Sequence, residues 1–284
     1  VLDAASCAAL GVPAMPDNNA PDEAHRAFTA EVCAKVWDFC PEAVVTSEDY
    51  GDGFAAYMAQ YFGRDIAHIC VDRAREAVPV SASRIRGDIH AERRWLSPAI
   101  YQDFVQTVCF IGAESTGKSI LTDSLAQDYG TEAVREYGRE LWEAQAGTLA
   151  YGDYLKIART HIAREQDARQ KAHRFLFVDT SPLVTLFYCL DQFGRAEEEL
   201  YRLAARTYDH VFLCAPDFPL VQDGTRRDEA FRQRQDRWYR GRLVKNGTAF
   251  TELRGSLGEK VVRVGEVMGD EHPKGTSSLR SGRG

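Results

Sequence analysis

The 284-residue chain is poor in the features that mark specialised protein classes. No uninterrupted apolar run approaches the ~20 residues a membrane-crossing helix needs, which excludes a helical membrane-spanning protein, and no membrane partner is expected. The basic, apolar, small-residue opening of a signal peptide is missing. The seven cysteines (Cys7, Cys33, Cys40, Cys70, Cys109, Cys189 and Cys214) are odd in number and scattered. They form no CxxC pair, and no HExxH or Cys/His cluster has metal-ligand spacing, so neither a disulfide framework nor a zinc site is expected. Several lie in apolar strand-like runs, where Cys behaves as a small hydrophobe, and a reducing cytoplasm is the expected compartment. Positive charge is not in excess. Thirty-five Lys and Arg against 42 Asp and Glu leave a formal charge of -7. That balance argues against a nucleic-acid partner, which calls for a basic footprint, while leaving room for a local basic pocket. The chain opens on Val1 rather than Met, consistent with a start inside a longer protein.

What remains is an ordinary globular composition, 44% hydrophobic and 27% charged. At ~100–200 residues per domain, the length suggests two domains. Residues 1–22, rich in Ala, Pro, Asn and Asp, read as a loop or loose terminus. An amphipathic helix over 23–38 follows, then a strand over 43–46, a helix over 54–62 and a strand over 66–71. From residue 105 the alternation restarts with a strand at 105–111, a Gly-rich turn and a helix at 118–129. A long helix at 151–172, a strand at 175–178, a helix at 183–190 and a strand at 210–214 come next, with a last apolar strand at 261–264. Strands alternating with helices indicate an α/β fold with a parallel sheet. The Gly-, Ser-, Arg- and Lys-rich stretch after residue 268 reads as a disordered tail.

The strongest chemical signal is Gly112-Ala113-Glu114-Ser115-Thr116-Gly117-Lys118-Ser119, which satisfies G-x-x-x-x-G-K-[ST]. The glycines let the backbone turn so that successive N–H groups form an anion-binding nest. The following helix adds the partial positive charge of its N-terminus. In this pattern Lys118 reaches the β- and γ-phosphates of ATP, and Ser119 completes a Mg²⁺ shell. The motif follows an apolar strand and opens an amphipathic helix, as the mechanism requires.

Phosphoryl transfer needs positioning, Mg²⁺ and a carboxylate for the acceptor hydroxyl. Asp179 ends the apolar strand at 175–178 and is the expected Mg²⁺ ligand or base, although Asp179-Thr180-Ser181-Pro182 also resembles a helix start. Glu136 follows a short strand-like run at 132–135 and reads equally as a crevice acid or a helix-start acid. Lys118, Asp179 and Glu136 are thus the catalytic candidates. The segment 223–242 carries Arg226, Arg227, Arg232, Arg234, Arg237, Arg240 and Arg242 among acids. Such a run is usually a solvated helix face with internal ion pairs. Behind a phosphate loop it also reads as a lid whose Arg226 or Arg227 closes over the triphosphate. His161, on the apolar face of its helix, reads as a core residue before a substrate contact.

These blocks occur in one order that resembles the NadR family of bifunctional nicotinamide-nucleotide adenylyltransferase/ribosylnicotinamide kinases. Phe110 through Ser119, Arg135-Glu136-Tyr137-Gly138-Arg139, Tyr154-x-x-Ile157-Ala158-x-x-His161 and Phe177-Val178-Asp179-Thr180 resemble its kinase half. Upstream, Val44-Val45-Thr46-Ser47-Glu48-Asp49-Tyr50-Gly51, Val71-Asp72-Arg73-Ala74-Arg75 and 79–86 resemble the later part of its adenylyltransferase domain, and Trp95-Leu96-Ser97-Pro98 its junction. The resemblance implies a P-loop kinase domain over 101–267, preceded over 1–100 by a partial Rossmann-like nucleotidyltransferase domain. It also implies transfer of the γ-phosphate of ATP, with Mg²⁺, to the 5′-hydroxyl of nicotinamide riboside. Asp179 and Glu136 would share base and metal duties, and Tyr137, Arg139 and Asp179 would contact the substrate. Ser81, Ser83 and Arg86 match the family's S-x-S-x-x-R phosphate motif, for which a plain helix cap is the alternative. The family's H-x-G-H motif is missing, so this chain is expected not to adenylylate. A P-loop kinase of another nucleoside or small hydroxyl metabolite, or an ATP-binding regulatory module, remains open as an alternative.

Overall fold

In the computed structural model, residues 3–218 and 227–269 are described. The tail expected beyond 268 therefore lies outside the described residues from position 270 onward, and so does Arg226. The chain forms two compact units, Val1–Ile85 and Arg86–Gly284.

The first unit opens with α1 (Ala4–Leu10), in the stretch expected to be a loop. Asp3 accepts from the Ser6 N–H at its start and left-handed Gly11 closes its end, so good caps on an Ala-rich heptapeptide override the lack of a longer period. Helix α2 (Asp22–Lys35) follows, then strand β1 (Ala43–Thr46), helix α3 (Gly51–Phe62) and strand β2 (Ala67–Cys70). The strands pair in parallel, Val45 opposite Ile69. Ala55 and Met58 of α3 pack with Ala30, Cys33 and Ile66 in a small core. Val45 and Ile69 stay 61% and 48% exposed, so their face of this two-stranded sheet is open. Helix α4 (Ala82–Gly87) carries the chain across the boundary between the units.

Helix α5 (Pro98–Tyr101) precedes β3 (Gln106–Gly112), which runs into the phosphate loop and α6 (Lys118–Tyr129). Then come β4 (Ala133–Val134), α7 (Tyr137–Ala144), α8 (Tyr151–Arg169), β5 (Phe175–Asp179), α9 (Pro182–Phe193), α10 (Glu198–Ala204) and β6 (His210–Cys214). The second unit closes with α11 (Glu229–Lys245), β7 (Thr251–Leu253) and α12 (Leu257–Met268). Its five strands are all parallel in the order β4-β5-β3-β6-β7. Alternate residues feed two cores, as a sheet covered on both faces requires. Cys109, Ile111, Leu176, Val178 and Leu213 meet α8, α9, α10 and α11, while Val108, Phe110, Phe177, Phe212 and Cys214 meet α6 and α12.

One expected strand is a helix. Residues 261–264 belong to α12, where Val261, Val264 and Met268 bury one face at helical spacing and Val262 is 41% exposed. Ser256 and Glu259 decide the matter as a capping box: the Ser256 Oγ accepts from the Glu259 N–H, and the Glu259 Oε2 accepts from the Ser256 N–H. The fifth strand is the three-residue β7, too short to carry a period.

Candidate active site

The phosphate loop spans the carboxyl end of β3 and the start of α6. Gly112 must be glycine because an added Cβ would fall 2.6 Å from the Cys214 carbonyl oxygen on the neighbouring strand. The loop then turns through two left-handed residues, Ser115 at φ 55° and Gly117 at φ 80°. The Ala113 carbonyl faces inward, accepting from Lys118 Nζ at 2.8 Å and from Thr116 Oγ1 at 2.9 Å. Correspondingly, the Glu114 N–H on the other side of that peptide donates to Gln235 Oε1 at 3.0 Å.

Strand register brings the acids to the same end of the sheet. Asp179 pairs with Phe110, two residues before Gly112, and its side chain is almost fully buried. Burial pushes the Asp179 carboxyl up, while the Lys118 ammonium and a hydrogen bond from Ser119 pull it down. Its Oδ1 atom is buried without a hydrogen-bond partner. Glu136 sits at the N-cap position of α7, two residues past the end of β4, so the strand-end and helix-start readings of this residue describe the same place. Burial and the neighbouring Asp179 push its carboxyl up to about 7, against the opposing pull of Lys118 and Arg139. Lys118, Ser119, Asp179 and Glu136 therefore form one electrostatically coupled group.

The remaining candidates are arranged less tightly. Arg139 pairs with Glu143 on the exposed side of α7 and also acts on the Glu136 and Asp179 carboxyls. The Tyr137 ring is covered by the Arg164 guanidinium, 4.6 Å from its centroid. Arg227 donates to Asp191, and its N–H reaches Glu114 Oε2 at 3.2 Å. His161 is buried, 3.6 Å from Glu165, and desolvation pushes its pKa down to about 4 against the opposing pull of the Thr180 backbone. The Ser81 Oγ accepts from the Arg84 N–H at 3.1 Å, the geometry of a helix cap. Ser83 and Arg86 fall on either side of the boundary between the two units.

Several residues around the loop carried no sequence signal. Tyr188 Oη donates to Glu114 Oε1 at 2.7 Å and accepts from Gln235 Nε2 at 2.8 Å. Arg232 belongs to the Arg-rich run that reads as a solvated helix face or as a lid, yet it is only 1% exposed and donates to loop carbonyls. Lys260, just as buried, approaches from α12. A helical plot of α11 would have put Arg232, Gln235, Tyr239 and Leu243 on one face, the only clue available.

A five-stranded parallel sheet with this loop on its central strand and helices on both faces defines a P-loop kinase-like α/β protein. A model of the AAA domain family matches residues 107–260, more than half of the chain, and the chain belongs to that family. The chain is also similar to NadR. It is 30% identical over 191 residues to the trifunctional NAD biosynthesis/regulator protein NadR of Escherichia coli (strain K12), an alignment covering 66% of this chain and 45% of that one. The NadR of Salmonella typhimurium (strain LT2) gives the same identity and coverage. The chain thus spans about half the length of these curated relatives. Crystal structures of NadR share the fold. The complex with NAD and AMP-PNP has a TM-score of 0.63 at 18% identity, covering 90% of this chain and 76% of that one. The complex with NR gives 0.63 at 19% identity, covering 91% and 78%. Among the described residues no helix is long and apolar enough to cross a membrane.

Proposed function

We propose that this chain is an ATP-dependent kinase that phosphorylates the 5′-hydroxyl of nicotinamide riboside to give nicotinamide mononucleotide. The observation that carries the reading is the coupled group of Lys118, Ser119, Asp179 and Glu136 at one end of the sheet, in a chain similar to NadR. The NadR structures in complex with AMP-PNP and with NR support ATP and the riboside as substrates.

In this mechanism the loop N–H groups and the α6 N-terminus bind the ATP phosphates, and Lys118 leaves the Ala113 carbonyl for the transferring phosphate. The residues present fit a magnesium ion. Asp179 offers a buried oxygen without a partner beside the Ser119 hydroxyl. No group of three or more His, Cys, Asp and Glu among the described residues forms a cage, as suits an ion that takes few protein ligands and keeps phosphates and waters. When bound, Mg²⁺ neutralises charge developing on the phosphates. Glu136, poised near neutrality, accepts the acceptor's hydroxyl proton. The acceptor oxygen forms its bond to the γ-phosphorus as the bond from that phosphorus to the ADP oxygen breaks. Tyr137 and Arg139 lie on the same helix start and would hold the riboside.

The first unit, within residues 1–100, we assign to a nucleotidyltransferase-like region. Without an H-x-G-H histidine pair in these 284 residues, nicotinamide mononucleotide and ATP should give no dinucleotide. The decisive experiment is an ADP-release assay across nicotinamide riboside, common nucleosides and shikimate, with Mg²⁺. Turnover should be fastest with the riboside. ADP release only with another acceptor would replace the substrate, and ATP binding without turnover on any acceptor would make the chain a nucleotide-sensing module.

A further inference from the structure

Three successive carbonyls of the phosphate loop point away from its concave side, and each meets a buried cation. Arg232 Nε donates to the Glu114 carbonyl at 3.0 Å and Arg232 Nη2 to the Ser115 carbonyl at 3.3 Å. Lys260 Nζ donates to the Thr116 carbonyl at 3.4 Å. Both side chains are 1% exposed although each carries a full charge. Burying them is costly unless they are paired and hydrogen-bonded, and here each is tied on its far side. Arg232 Nη1 reaches the Phe218 carbonyl at 2.7 Å and Glu229 at 3.2 Å. Lys260 pairs with Asp217 at 3.2 Å and lies 4.3 Å from the centroid of the Phe218 ring.

A trans peptide holds its C=O and the next N–H on opposite sides. Pinning the carbonyls of Glu114, Ser115 and Thr116 outward therefore turns the N–H groups of Ser115, Thr116 and Gly117 inward. The peptide before them shows the converse, with the Ala113 carbonyl inward on Lys118 and the Glu114 N–H outward on Gln235. The loop also passes through left-handed Ser115, a conformation an unsupported non-glycine residue rarely adopts.

We propose that Arg232 and Lys260 are positioning residues that clamp the phosphate loop from behind, holding its N–H groups preorganised for a polyphosphate. The clamp rests on the nucleotide-binding reading above, and it assigns work to two helices, α11 and α12, that the motif itself does not include. Its function is orientation: a cation at the same place without the two-carbonyl fork does not replace Arg232.

The test uses the full chain with inorganic tripolyphosphate and ATP as probes, in titration calorimetry at fixed ionic strength. Arg232→Lys, which keeps the charge, and Lys260→Met, which keeps the bulk, should each weaken both probes at least about tenfold. Faster amide hydrogen exchange over residues 113–119 should accompany the loss. A merely structural role would lower the unfolding midpoint and leave the affinity of the folded protein for tripolyphosphate unchanged, and that result overturns the clamp. So does an Arg232→Lys protein that binds as wild type, since charge alone would then suffice. Because the two variants lie on different helices, either one that folds decides the question for its residue. Wild-type protein that binds neither probe would overturn the nucleotide reading and the clamp with it; wild-type binding with unchanged variants overturns the clamp alone.

Discussion

Both units of this chain build parallel strands joined through a helix, yet they treat their strands oppositely. In the first unit β1 and β2 form a sheet of two, with Val45 and Ile69 exposed side by side. In the second, the central strand β3 is flanked by β5 and β6, and helices cover both faces. The same local order, a strand rich in apolar residues followed by a glycine and a helix, thus gives an open ribbon in one place and a closed core in the other. The difference lies in how many strands share the face and what covers it. A sheet buried on both sides holds its strand ends firmly enough to set Asp179 against Lys118 and Ser119. The first unit has its own side-chain chain at a strand end, His68 between Thr46 at 2.8 Å and Asp52 at 2.7 Å, and there Asp52 lies almost fully in solvent.

The contrast can be broken most directly in the buried sheet. Phe212 is fully buried, its ring 5.6 Å from that of Phe110, and Phe212→Ala should cost about 3–5 kcal/mol in urea unfolding. A loss below about 1 kcal/mol would mean that the sheet is far less tightly packed than its burial implies. Next in size, Asp179→Asn should lower ATP-dependent turnover at least about a hundredfold with little change in unfolding midpoint. Turnover within about threefold of wild type would remove Asp179 from the reaction.

Glu136 offers a subtler test. Its carboxyl has an ordinary value of 4.5 and is raised to about 7 in the folded chain. Between those two values the folded state keeps a proton that the unfolded state has released, so the Glu136 contribution to stability is lost as pH rises through that window. Glu136→Gln should flatten this slope in unfolding experiments. As a base Glu136 works ionised, so kcat/KM should rise with pH up to about 7 and Glu136→Gln should abolish that rise. Persistence of the inflection in the variant would place it on another group. The smallest effect belongs to the open ribbon: Val45→Ala should change stability by no more than about 0.5 kcal/mol, and a larger loss would show that its face is covered in solution.

Much of this was legible in the chain. The phosphate loop and α6 are specified by local rules, glycines where the backbone must turn and an apolar strand before them, so pattern alone located them. Asp179 was legible because a buried strand ending in an acid is costly without a task or a partner. At 261–264 the ambiguity is local. Val261, Val262 and Val264, with Arg263 among them, look the same as a buried strand and as part of a helix face, and only the Ser256–Glu259 cap distinguishes them.

By itself, then, the sequence determined the nucleotide-loop motif, the alternation of strands and helices, and the acids Asp179 at a strand end and Glu136 at a helix start. These depend on neighbours within a few residues. Tertiary structure alone decided that Glu136 lies beside Asp179 and that Tyr188 and Gln235 hold Glu114. It also decided that Arg232, from an arginine-rich run that reads as a solvated face or a lid, is buried against the loop with Lys260. Those pairings join residues more than forty positions apart, and charge patterning along a helix says nothing about which of its arginines the rest of the fold will cover.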